Sequence, residues 1–127
     1  DDRNFIKTVV EEMGGVDVVL DDGSHVSKHI RSTMNTLFPL LNDEGLYIVE
    51  DLHAAYWPGY GGGYQTSKSF MTDISQMYDD MHHWYHSKGQ KISSTEDKLV
   101  AIHLYDSIAI FEKNKVKPPR HSKIGRE

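Results

Sequence analysis

Apolar positions along the chain switch repeatedly between a helical and an extended rhythm. In residues 4–13, Phe5, Ile6, Val9, Val10 and Met13 recur at helical intervals until Gly14-Gly15 stops the pattern. Residues 16–20 form a short β-branched run, the signature of a buried strand, and end in the polar turn Asp21-Asp22-Gly23-Ser24-His25. From about residue 26 to 41, Ile30, Met34, Leu37, Phe38 and Leu41 mark an amphipathic helix, which Asn42-Asp43-Glu44-Gly45 should end. Residues 46–49 predict a second buried strand. Strand, helix and strand with short connections make a parallel βαβ unit. An aromatic and glycine-rich loop over 52–65 follows, then a helix over about 67–86 with Phe70, Ile74, Met77, Tyr78 and Met81 on one face. Residues 99–104 and 108–112 flank Tyr105-Asp106-Ser107 as an antiparallel hairpin. The reading is one α/β domain over 1–113 and a loose basic tail over 114–127.

Composition narrows the function. A chain of 127 residues with 38% hydrophobic and 26% charged positions is sized for one domain. A net charge of −5 argues against an electrostatic nucleic-acid binder. The absence of cysteine excludes a disulfide framework and a Cys-ligated zinc site. No apolar run approaches the ~20 residues of a membrane span, so no membrane association and a cytoplasmic setting are expected.

Ligands of open parallel sheets bind beyond the carboxyl ends of the strands. Both strands of the βαβ unit end in acid, Asp21-Asp22 and Glu50-Asp51. Carboxylates brought together at one rim repel, and a bound hard cation, magnesium before calcium or manganese, relieves the repulsion. A single acidic strand end is more often a turn or cap residue; two matching ends favour the metal. His25 stands at the first turn after the strand. It is equally open to capping the helix or accepting a proton, since imidazole titrates near pH ~6.5.

The turn Asp21-Asp22-Gly23-Ser24-His25, the segment Glu44-Gly45-Leu46-Tyr47-Ile48-Val49-Glu50-Asp51-Leu52 and the loop Ala55-Tyr56-Trp57-Pro58-Gly59-Tyr60-Gly61-Gly62 together resemble the magnesium-dependent macrolide-sugar O-methyltransferases of the mycinamicin and macrocin type. The closing hairpin from Ala101 to Lys113 resembles that family too, so the likeness runs from Asp2 to Lys113. The resemblance implies the C-terminal half of a Rossmann-like class I methyltransferase sheet, using S-adenosylmethionine and Mg2+. By position it implies Asp22, Glu50 and Asp51 as metal ligands and His25 as general base. The spacing of 28 residues between Asp22 and Glu50 is also similar to that of catechol-type O-methyltransferases, in which Lys stands where His25 is. The acceptor implied is a small-molecule hydroxyl, in particular that of a sugar. Tyr56, Trp57 and Tyr60 are open to a core role, but in a glycine-rich loop directly after the candidate metal ligands they read as a mobile lid over that sugar.

One departure is large. Such methyltransferases hold the cofactor on a glycine-rich turn after a first strand, whereas Gly14-Gly15 follows a helix and Gly61-Gly62-Gly63 lies in the late loop. The chain is therefore expected to be a fragment or truncated product, with cofactor-binding residues unassigned. The strand over 16–20 would then expose an edge and an apolar face, which predicts a homo-oligomer. Two other readings stand beside the methyltransferase: a metal-dependent hydrolase, and a non-catalytic metal-binding module. His25 and His29 share a helical face, but without a third ligand on that helix they make a poor zinc pair. His82, His83 and His86 read as surface residues at a helix C-terminus.

Overall fold

Asp2 opens the first helix, its carboxylate accepting from the N–H groups of Asn4 and Phe5 at 3.1 Å each. In a computed structural model, which describes residues 2–86, 95 and 98–125, this helix is α1 (Arg3–Met13), closed at Gly14. Residue 1 and the last two residues of the predicted tail, 126 and 127, lie outside the described residues. Then come β1 (Val16–Asp21), α2 (Ser27–Leu37), β2 (Leu41–Val49), α3 (Phe70–Met81), β3 (Leu99–Tyr105) and β4 (Ile108–Lys113). The strands form one sheet in the order β1-β2-β4-β3. β1 and β2 run parallel and the other pairs antiparallel, as the βαβ unit and hairpin predict.

Three expectations about element boundaries need correction. α2 stops at Leu37 rather than near residue 41: Pro39 lacks the N–H to continue it, and Phe38–Leu40 tightens into a 3₁₀ turn. The stretch Asn42–Gly45 does not sit between helix and strand but inside β2, as an irregularity in its pairing. Val16 faces Leu41, while Val18 faces Leu46. Gly45 permits this, because a Cβ there would come 2.7 Å from the Asn42 carbonyl oxygen and 2.9 Å from that of Asp17. α3 is also shorter than predicted. Ser69 caps its start by accepting from the Met71 N–H, and a separate 3₁₀ turn, His83–Tyr85, follows its end.

Among the described residues, one face of the sheet is covered. Ile30, Met34 and Phe38 from α2 and its terminal turn, with Phe70, Ile74 and Met77 from α3, pack on Tyr47, Val49, Ala109 and Phe111. Two buried hydroxyls tie the helices to the rest: Ser27 Oγ accepts the Phe70 N–H at 3.0 Å, and Ser69 Oγ donates to the Ala55 carbonyl at 2.8 Å. The other face carries Leu20, Ile48 and Ile110 in one cross-strand row and Val18 and Leu46 in the next. Val18 and Leu20 are each 55% exposed, so β1 is not the fully buried strand its composition predicts. It is an edge strand with a single covered face. Among the described residues no helix is long and apolar enough to cross a membrane.

Candidate active site at the sheet rim

Parallel pairing brings the ends of β1 and β2 side by side, and the Glu50 N–H donates to the Asp21 carbonyl at 3.2 Å as the strands finish. The chain then turns sharply in both places. His25 has φ 59° and Asp51 has φ 54°, left-handed conformations that an L side chain adopts at a cost of order 1 kcal/mol. These two strained residues meet: His25 Nε2 lies 3.3 Å from Asp51 Oδ2 and 3.8 Å from Asp22 Oδ1. One ligand atom from each of Asp22, His25 and Asp51 lies within 4.8 Å of the others. Glu50, although next to Asp51 in the chain and partly exposed, is not a member of this group.

The two neighbouring aspartates have different work. Asp21 spends its carboxylate inside the protein, Oδ2 accepting from the Tyr47 hydroxyl at 3.1 Å and Oδ1 from the Gly23 N–H at 3.4 Å. Burial pushes its carboxyl above the ordinary carboxylate range, against the lowering effect of those hydrogen bonds. Burial likewise raises the Tyr47 phenol, and the charge of Asp21 adds to the shift. Asp22 turns outward, its side chain 56% exposed, with room for water and a ligand. The structure thus separates a turn-forming acid from one that faces the cluster. Tyr47, a residue composition marks only as core, braces the pair.

His29 is not a partner of His25 in a metal pair. Its Nδ1 lies 2.7 Å from Ser24 Oγ, which also accepts from the Val26 N–H at 3.4 Å. His82, His83 and His86 each place a ring nitrogen on a carbonyl near the end of α3, those of Tyr78, Asp80 and Asp79. They act at the helix C-terminus, where the last carbonyls lack intrahelical donors.

The aromatic loop is built as two 3₁₀ turns, Leu52–Tyr56 and Pro58–Tyr60. Leu52, Ala54 and Ala55 are buried, while Tyr56, Trp57 and Tyr60 project outward. Trp57 stands between the rings of His53 and Tyr60, with centroids at 5.1 and 6.0 Å. His53 escaped the sequence reading because nothing in its spacing marks it. Its Nδ1 lies 2.6 Å from the hydroxyl of Ser107, 54 residues away at the tip of the β3–β4 hairpin. Gly14 and Gly61 end a helix and a turn respectively, so among the described residues no glycine-rich turn follows a strand, and the structure assigns no residue to S-adenosylmethionine.

No family model matches the sequence. The chain is 38% identical over 120 residues to 8-demethyl-8-(2-methoxy-alpha-L-rhamnosyl)-tetracenomycin-C 3'-O-methyltransferase of Streptomyces olivaceus, covering 91% of this chain and 31% of that protein. It is 33% identical over 117 residues to demethylmacrocin O-methyltransferase of Streptomyces fradiae, covering 88% and 30%. Its fold matches that of MycE methyltransferase from the mycinamycin biosynthetic pathway, solved in complex with Mg, SAH and mycinamycin VI. There the TM-score is 0.80 at 31% identity, over 90% of this chain and 30% of that one. The chain thus spans just under a third of the length of these relatives. Its mixed four-stranded sheet, parallel then antiparallel, matches the C-terminal part of a class I methyltransferase. By sequence and by fold, this chain is similar to one segment of the macrolide and tetracenomycin sugar O-methyltransferases.

Proposed function

We propose that this chain carries the proton-accepting and metal-holding side of an O-methyltransferase that moves a methyl group from S-adenosylmethionine to a sugar hydroxyl. The observation behind this reading is the convergence of Asp22, His25 and Asp51 where two parallel strands end. It occurs in a chain similar to a methyltransferase described with Mg, SAH and a macrolide.

The donor set fits magnesium. Magnesium prefers oxygen ligands and keeps several waters, and the Asp22 and Asp51 carboxylates are 56% and 47% exposed. Asp22 and Asp51 would hold the ion, with Glu50 as the third carboxylate on the strength of the family resemblance. Bound there, magnesium would supply Lewis acidity toward an acceptor hydroxyl. His25 Nε2 takes the hydroxyl proton in this scheme, and the imidazolium so formed lies against the carboxylates of Asp51 and Asp22. The strained backbone at His25 and Asp51 holds acid and base at fixed separation before any acceptor arrives. The same proposal places residues 1–113 in the catalytic domain with 114–127 as a basic tail. It makes Tyr56, Trp57 and Tyr60 the wall beside the sugar, and the working enzyme a cytoplasmic homo-oligomer.

The test is a pair of variants in the full-length protein. His25→Ala should cut kcat by roughly a hundredfold or more with magnesium affinity nearly unchanged. Asp51→Asn should weaken magnesium binding first. Magnesium titration, run beside methyl transfer to a rhamnosylated polyketide, reads both. Loss of magnesium in His25→Ala would make the imidazole a ligand, and unchanged turnover would make it a structural residue.

A further inference from the structure

Ser107 occupies the tip of the β3–β4 hairpin with φ 65°, and from there it grips the chain just beyond Asp51. The Leu52 N–H donates to its carbonyl at 2.9 Å, and the His53 N–H to its Oγ at 3.2 Å. The same Oγ lies 2.6 Å from His53 Nδ1. Oγ accepts the backbone N–H and keeps one hydrogen and one acceptor position, so the ring tautomer sets which of Oγ and Nδ1 donates. Where Oγ is the donor, Nδ1 accepts and the ring hydrogen sits on Nε2. Trp57 meets the ring edge-on at 5.1 Å, so the orientation of His53 is constrained by both contacts.

His53 and Ser107 line a cavity of about 260 Å³ together with Leu52, Tyr56, Met71 and Tyr105. Its walls are mostly apolar or aromatic, and the polar groups of the His53–Ser107 pair stand in it beside the carboxylate of Asp106. The volume is a little below the ~300 Å³ at which ligand pockets begin, which suits one sugar ring rather than a polycyclic aglycone. The cavity starts one residue after Asp51, with Tyr56 of the outward-facing aromatic loop in its wall.

We propose that His53 and Ser107 form an acceptor-recognition subsite, in which Ser107 holds His53 so that its Nε2–H donates to an oxygen of the glycosyl group presented to Asp22, His25 and Asp51. This rests on the methyltransferase reading above and adds the residues that choose the acceptor. His53 acts on substrate binding, and Ser107 is a positioning residue.

The experiment uses the full-length protein, a rhamnosylated polyketide as acceptor, and the variants His53→Phe, His53→Gln and Ser107→Gly. Phenylalanine keeps a ring against Trp57 without a donor, and glycine suits the positive φ at 107, so both preserve the fold. Losing one neutral hydrogen bond should raise the acceptor KM about tenfold in His53→Phe with kcat within about twofold. Ser107→Gly should raise KM by a smaller factor, and His53→Gln, which keeps an N–H donor, should return KM to within about threefold of the parent. Nitrogen-15 shifts of the His53 ring should report the Nε2–H tautomer in the parent and its loss in Ser107→Gly. A fall in kcat at unchanged KM, or an Nδ1–H ring in the parent, overturns the proposal while the methyltransferase reading stands. A parent that methylates no glycoside overturns that reading, and this one with it.

Discussion

His25 and Asp51 hold positive φ at the place where their side chains meet, and that coincidence joins backbone strain to chemistry at single residues. Neither is glycine, so the surrounding structure must impose the conformation. His25→Gly should therefore stabilise the fold by about 0.5–1 kcal/mol while abolishing the proton acceptance proposed for this residue. Chemical denaturation read beside turnover checks it, and a less stable glycine variant would mean that the imidazole contacts outweigh the strain. Lys113 shows a different cost. Its ammonium, buried at the end of β4, donates to the carbonyls of Pro39 at 2.9 Å and Leu41 at 2.6 Å, at the joint between α2 and β2. Burial lowers its pKa from the ordinary 10.5. Between the lowered folded value and 10.5 the unfolded chain binds more protons, so stability should rise with pH through that window. Lys113→Met should lose this increment and cost about 1–2 kcal/mol at neutral pH, because two carbonyls lose their donor. Denaturant melts of both proteins across the alkaline range decide it.

At the scale of elements, the aromatic loop depends on one close approach. A Cβ at Gly62 would come 2.0 Å from the Ala55 carbonyl oxygen, which also accepts from the Gly63 N–H at 2.9 Å and from Ser69 Oγ. Gly62→Ala must push this backbone apart, freeing the start of α3 and the wall carrying Trp57 together. We expect a loss of about 2–4 kcal/mol, visible as a lower Tm and a changed tryptophan emission. An unchanged Tm would show that the loop is not pinned at Ala55. The elements themselves were legible where periodicity is strong: α1, the βαβ order and the hairpin all lie where the pattern of Val9, Ile30, Val49 and Phe111 puts them. Boundaries were less so. Asn42–Gly45 looks like a helix-ending turn because its composition is polar, and only pairing with Val16 draws it into β2.

For the whole molecule, the uneven covering of the sheet matters most. Parallel strands are normally buried on both faces, whereas α2 and α3 cover only the face bearing Tyr47 and Phe111. Val18 and Leu20 stand out on the other, at the edge of the sheet. An apolar face beside an unpaired strand edge drives association. The 127-residue chain should run larger than a monomer in light scattering, and Val18→Lys with Leu20→Lys should shift it toward the monomer. A parent that stays monomeric with this face in solvent would overturn the expectation.

The sequence alone determined the order of elements, the parallel-then-antiparallel sheet and the acids at the two strand ends, because these depend on local periodicity and on which residues follow a strand. The motifs around Asp22 and Glu50-Asp51 carried the family likeness as well. Tertiary structure decided the rest. It turned Asp21 inward to Tyr47 and Asp22 outward, and it set His25 beside Asp51 rather than in a pair with His29. It also brought Ser107 across 54 residues to His53. Those outcomes depend on strand register and on left-handed turns, and neither is encoded in the spacing of neighbouring residues. They arise only when β1, β2 and the hairpin are packed against one another.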